Sequence, residues 1–168
     1  MVGLEIRTAT YADVAALQVF AGRLLSEDLP GIFTRPLPSL EDEREFVRSR
    51  TYPDNSTLLV AMLDGAVSGV VDVIGGTVPE ERHVGTIGVS VDQDHRGQGV
   101  GTALIEELVS QAPELGLTRL QLWAWANNPA AIALYERLGF VREGLCRGAV
   151  MSHGEAIDVL LLALLLVA

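Results

Sequence analysis

Apolar and polar positions alternate over residues 4–8, the period of a strand with one covered face. Thr10 stands three positions ahead of Asp13, a capping-box spacing that starts a helix from Tyr11 to about Leu25. Pro30, Gly31, Pro36 and Pro38 break any period over residues 26–38 and predict a loop. Ser39 can cap a second, acidic helix over residues 40–49. Two apolar runs, 58–63 and 66–74, flank Asp64-Gly65, the pair that turns a hairpin. After a turn at 75–81 a fourth strand follows over 83–91. Residues 99–112 have helical spacing, with Leu104, Ile105 and Leu108 on one face, and Pro113 and Gly116 end that helix. A fifth strand spans 117–125. Pro129 suits the first turn of a helix through Leu138, and Gly139 closes it. Two last strands, 140–150 and 156–167, flank a turn at Ser152-His153-Gly154.

This order predicts a mixed α/β layer with helices covering a sheet, in one domain over residues 1–168. Apolar residues make up 49% and charged ones 20%, enough for a sizeable core. The formal net charge of -10 argues against binding nucleic acid or an anionic membrane through phosphates, and mildly favours cationic partners. The longest apolar run, 159–168, is far short of the ~20 residues a membrane span needs. The N-terminus lacks a basic region followed by an apolar one, and the one cysteine, Cys146, leaves no intrachain disulfide. A cytoplasmic location is therefore expected.

The chemistry concentrates between the fourth strand and the third helix, at Arg96-Gly97-Gln98-Gly99-Val100-Gly101-Thr102. Glycine at 97, 99 and 101 lets a ligand approach the backbone closely. The free N–H groups at the helix start, with the positive end of its dipole, make an anion site. Arg96 adds a charge at the rim, and a pyrophosphate fits the whole. A Walker loop would need Gly-Lys-Ser/Thr, which is absent, and the glycine register does not match a dinucleotide fingerprint.

Arg96 to Gly101 resembles the coenzyme A pyrophosphate loop of the GNAT superfamily of N-acetyltransferases, patterned Arg/Gln-x-x-Gly-x-Gly/Ala. Downstream, residues 128–140 are similar to that family's second signature, Asn-x-x-Ala-x-x-Leu-Tyr-x-x-x-Gly-Phe, through Asn128, Ala131, Leu134, Tyr135, Gly139 and Phe140. The resemblance runs along nearly the whole chain. It implies a mostly antiparallel seven-stranded sheet, about four helices and strands 4 and 5 splayed apart. It implies acetyl-CoA as cosubstrate and an amine as acceptor: an amino acid, a small amine or a peptide N-terminus. The amides of Gly97, Gln98, Gly99, Val100, Gly101 and Thr102, with Arg96, would hold the pyrophosphate. Val89 and Val91 would offer backbone groups to the pantetheine arm, and Asn128 would touch it. A bulge in the fourth strand would aim the Val89 amide at the thioester carbonyl, and Tyr135 would protonate the departing thiolate.

The base is the open point. Thr86 stands where relatives often carry glutamate in the fourth strand, and threonine cannot act as a base near neutral pH. His83, at the start of that strand, is the titratable candidate. Glu27, Asp28 and Glu81 lie in loops that could border the acceptor cleft, and a water-relayed base is the alternative. Loops 26–38, 75–81 and 150–155 are expected to set the acceptor. His95 reads as a structural brace of the loop. The three histidines, His83, His95 and His153, have no metal-ligand spacing, so no metal is expected. Cys146 reads as a small buried strand residue, and Trp123 and Trp125 as packing residues on one strand face. The apolar last strand is expected to be covered on both faces, with a homodimer partner as one possible cover. A different short-chain acyl-CoA as donor, and a non-catalytic acyl-CoA sensor, are the competing readings.

Overall fold

The computed structural model describes residues 3–27, 29–32 and 35–166. Asp28, positions 33 and 34 of the proline-rich loop, and Val167 of the last expected strand lie outside them. Strand β1 (Glu5–Thr8) leads through a short 3-10 turn, Tyr11–Asp13, into helix α1 (Val14–Leu25). The expected cap is in place: the Thr10 N–H donates to Asp13 Oδ2 at 2.7 Å. Helix α2 (Leu40–Thr51) starts on a reciprocal pair, Asp42 N–H to Ser39 Oγ at 3.1 Å and Ser39 N–H to Asp42 Oδ2 at 2.8 Å. Strands β2 (Thr57–Leu63) and β3 (Ala66–Gly75) join at Asp64 and Gly65, with φ of 50° and 80°. Two left-handed residues match the twist of the flanking strands, which is why Asp-Gly serves there. There follow β4 (Val84–Val91), α3 (Val100–Gln111), β5 (Arg119–Trp125), α4 (Pro129–Arg137), β6 (Val141–Ser152) and β7 (Glu155–Leu165).

The seven strands form one sheet in the order β1-β2-β3-β4-β5-β7-β6. Every neighbouring pair is antiparallel except β4 and β5, which α3 connects as a crossover and which therefore run parallel. That parallel ladder holds only from Val84↔Arg119 to Thr86↔Gln121. Beyond Thr86 the two strands part, so the expected splay is present. The expected bulge in the fourth strand is not: β3 and β4 keep one register from Gly69↔Val91 to Gly75↔Gly85.

Helices α3 and α4 cover one face. Leu104, Ile105 and Leu108 of α3 and Ile132 of α4 are buried with Leu59, Val71, Ile87, Leu120 and Leu122 of the sheet. On the other face Leu17 and Phe20 of α1 and Val47 of α2 bury Leu58, Val60 and Val70. Each fully buried Leu or Val contributes about 1.5–3 kcal/mol, so both layers are needed to hold the sheet. On the second face the cover ends at β3. Thr86 and Gly88 of β4 are exposed, and Trp123 of β5 is 52% exposed, whereas Trp125 is 7% exposed. Packing thus accounts for Trp125 but not for Trp123.

Strand β7 lies inside the sheet, with Val159, Leu160, Leu162 and Ala163 buried. The edge strands are β1 and β6, and β6 has no buried residue and presents Val141, Leu145 and Met151 to solvent. Cys146, expected to be buried, is exposed on it. Among the described residues no helix is long and apolar enough to cross a membrane.

Candidate active site

The alternation of hydrogen bonds along β4 sets the cleft. The Gly76 N–H donates to Val84 O at 3.0 Å and the Asp92 N–H to Ser68 O at 2.9 Å. With one register between them, the even-numbered residues of β4 bond to β3. Ile87, Val89 and Val91 therefore turn their N–H and C=O groups towards β5, which has left the ladder after Thr86. Val89 is thus directed into the splay by strand alternation rather than by a bulge.

The turn after β4 is built on buried Asp92. Its Oδ1 accepts from the Asp94 N–H at 3.1 Å, and Arg23 Nε of α1 lies 3.0 Å from its Oδ2. The Gln98 amide donates to Asp94 O at 2.7 Å, tying the loop to itself. Gly97 and Gly99 have φ of 71° and 88°, a region that side chains disfavour, and Gly99 caps α3. The first bond of the helix is Ala103 N–H to Gly99 O at 2.9 Å, so the amides of Val100, Gly101 and Thr102 stand ahead of its ladder. Gly101 serves another purpose. It is buried inside the helix, and a Cβ there would lie 3.3 Å from Leu134 of α4 and 3.5 Å from Val91. Its hydrogen lets α4 approach the end of β4.

Two residues expected to meet the cofactor have protein partners here. Arg96 is not a free cation at the rim: its Nε donates to Val91 O at 3.0 Å and its Nη1 is ion-paired with Glu27, whose side chain is 7% exposed. The Val91 carbonyl is therefore already engaged. The Asn128 side chain, expected to touch a cofactor arm, caps α4 by accepting from the Ala131 N–H at 3.2 Å, and donates to Pro30 O at 3.0 Å. It fastens the α1–α2 loop to the start of α4.

Tyr135 follows Leu134 and is half-buried against the α3 face of the core. It meets Phe140 edge to face with ring centroids 5.9 Å apart. Burial pushes its phenol up to about 12, which keeps the hydroxyl protonated and able to donate across the neutral range. His83 stands apart. It is exposed before β4, and six residues at ~3.3 Å each separate it from Val89 by roughly 20 Å. Glu81 and the 75–81 turn belong to that same end of β4, away from Val89. The 152–154 turn lies at the splay end, since Val159 of β7 pairs with Trp125. Thr86 Oγ1 accepts from the Gln121 amide at 3.3 Å.

Asp72 is the group that sequence reading passed over. It sits on β3 directly opposite Gly88. Arg50 Nε donates to its Oδ2 at 2.8 Å, and a Cβ at Gly88 would lie 2.8 Å from its Oδ1. Its side chain is 15% exposed, and burial pushes its carboxyl above the usual range despite Arg50. The signal was one ionisable residue in the apolar run 70–74, opposite a glycine in mid-strand. Among the described residues no group of three or more His, Cys, Asp or Glu gathers in a way that could hold a metal.

The geometry fits coenzyme A. A strand edge stripped of its neighbour can pair with an extended arm, and the unpaired amides at the start of α3 can take a pyrophosphate. Comparison with known proteins agrees. The family model described as Acetyltransferase (GNAT) family matches residues 23–140. The chain is 31% identical over 106 residues to the L-amino acid N-acetyltransferase AaaT of Escherichia coli (strain K12), covering 62% of this chain and 65% of that one. It is 38% identical over 76 residues to the ribosomal protein bS18 alanine N-acetyltransferase of the same organism, covering 45% and 51%. The matched stretches thus span between half and two thirds of these relatives' own lengths. Among solved structures, an acetyltransferase of the GNAT family from Streptococcus pneumoniae superposes with a TM-score of 0.90 at 31% identity, covering 97% of this chain and 99% of that one.

Proposed function

Because the chain belongs to the acetyltransferase (GNAT) family, we propose that it transfers an acetyl group from acetyl-CoA to a primary amine by direct attack. The acceptor class is an amino acid, a small amine or a peptide N-terminus. One observation carries this reading: the β4 edge left open by the splay lies beside the unpaired first amides of α3. GNAT acetyltransferases use acetyl-CoA, which supplies an activated carbonyl and a thiolate leaving group.

In this reading the amides of Val100, Gly101 and Thr102, with Gly97, Gln98 and Gly99, bind the pyrophosphate, and Arg96 exchanges its bond to Val91 for it. The Val89 amide lies where negative charge develops on the carbonyl oxygen; a fixed donor there is worth about 3–4 kcal/mol of barrier. The Tyr135 hydroxyl donates its proton to the leaving sulfur. The open face over Thr86, Gly88 and Trp123 receives the amine, and the net charge of -10 favours a cationic one. The names of the relatives, one acting on L-amino acids and one on a protein alanine, support an α-amine. The same proposal takes residues 1–168 as one catalytic domain, places it in the cytoplasm without a nucleic-acid or membrane partner, and sets a second copy against the open β6 edge.

The test is calorimetric titration of acetyl-CoA, then a panel of amines followed by free-thiol release. Binding with turnover on an amine is the expected outcome. Binding with no turnover on any amine favours the sensor, and no binding removes the proposal.

A further inference from the structure

Acetyl transfer needs a neutral amine; the Thr86 hydroxyl cannot make one, and His83 stands at the end of β4 away from Val89. We propose that Asp72, from β3, is the catalytic base that takes the proton from the acceptor's ammonium group; this rests on the acetyl-transfer reading above.

Placement is the first argument. Asp72 faces Gly88 across the ladder, and Gly88 is the chain neighbour of Val89. Adjacent strands lie ~4.8 Å apart, so a carboxylate leaning over Gly88 is about one strand spacing from the open edge of β4. That is within reach of an ammonium there, directly or through one water. The second argument is the space. Gly88 is exposed on the face that α1 and α2 leave uncovered, and any side chain there would strike Asp72 Oδ1. Glycine keeps the ground between the carboxylate and the cleft clear.

Orientation is the third. Arg50 holds Oδ2 and is itself fixed on two sides, by the face of Phe46 at 3.9 Å and by Ser49 Oγ at 2.9 Å. The carboxylate is thereby turned with Oδ1 towards Gly88. The charged groups around it are few. From α2 come Arg50 and, acting on Arg50 in turn, buried Glu43. From β4 come only Thr86, Gly88 and Ser90, and β2 sets Leu58 opposite. Burial raises the carboxyl in spite of Arg50, the direction that suits a base working near neutrality.

The transfer balances. Asp72 takes one proton from the ammonium, and the neutral nitrogen forms a bond to the thioester carbon. The carbon–sulfur bond then breaks, and the sulfur takes the Tyr135 proton. The proton leaving the new amide nitrogen restores Tyr135, and Asp72 releases its own to water. The sum is one amide, one thiol and one proton from one ammonium and one thioester.

The experiment compares wild type and Asp72→Asn as full chains, with acetyl-CoA and an amine that wild type acetylates, over a pH range reaching the amine's own pKa. Near pH 7, kcat/KM is expected to fall about 100-fold with acetyl-CoA affinity little changed, while thermal unfolding moves down as Arg50 loses its charged partner. The deficit should shrink as pH rises and the amine loses its proton unaided. A loss smaller than about threefold, or one equal at every pH, overturns the proposal, because a merely structural ion pair has no such dependence. Gly88→Ala, whose Cβ pushes on Oδ1 while Asp72 and Arg50 both remain, should show the same pH-dependent deficit and serves if Asp72→Asn fails to fold. Wild type inactive on every amine sinks the acetyl-transfer reading and this proposal together. Active wild type with an unimpaired Asp72→Asn sinks this proposal alone.

Discussion

Burial holds the Tyr135 phenol at about 12, so a proton is always present for a thiolate formed nearby. Tyr135→Phe removes the proton and keeps the ring that packs on Phe140. Steady-state turnover should fall about 100-fold while acetyl-CoA binding by calorimetry hardly moves. Unchanged turnover would end the donor role. Asp13 shows the opposite shift. Arg7 grips both its oxygens, at 2.7 and 2.9 Å, and the Thr10 N–H adds a third bond. The Arg7 hydrogen bonds foremost bring this carboxyl from 3.8 to about 2. A lowered carboxyl contributes stability that is fully present above its unfolded value and lost as pH falls through its folded one. The difference from 3.8 corresponds to about 2 kcal/mol near neutrality. Asp13→Asn should therefore lower urea stability by about that amount near pH 7, and by little near pH 2. An equal gap at both pH values would contradict this account.

At the scale of the element, the loop into α3 uses its glycines for different ends. Gly99 has φ of 88°, where an alanine costs about 1–2 kcal/mol and pulls the first turn of the helix out of line. Gly99→Ala should weaken acetyl-CoA binding by about tenfold, since each 1.4 kcal/mol is a factor of ten in affinity. An unchanged calorimetric Kd would mean that these amides hold no pyrophosphate. Gly101 has no such dihedral and is there for the approach of Leu134. Both features read alike in the sequence as one alternating glycine run. The helix cap at Ser39, the Asp64-Gly65 hairpin and the Gly139 stop were legible because each is a bond or a dihedral within a few residues of its signal.

For the whole molecule, the cleft exists because a parallel pair is set into an otherwise antiparallel sheet and separates after Thr86. The same sheet ends on β6, an edge with apolar Val141, Leu145 and Met151 in solvent. Light scattering should return about twice the 18.0 kDa chain mass if a second copy covers this edge, and 18.0 kDa counts against it. The sequence placed the candidate cover at the last strand, because its apolar run was read without knowing that β7 lies between β5 and β6.

Element type, element order, the glycine loop and the Asn128–Phe140 signature were determined by the chain alone. Their physics is local: periodicity, capping and turn dihedrals act over a handful of residues. The pairing of distant groups was decided only in three dimensions. Glu27 meets Arg96 across 69 residues of chain, a pairing no local pattern announces. His83 stands just before β4 and Val89 near its other end, and the extended chain between them keeps them roughly 20 Å apart. Asp72 gains its place over Gly88 from the β3–β4 register, in which a shift of one residue would turn it to the other face of the sheet.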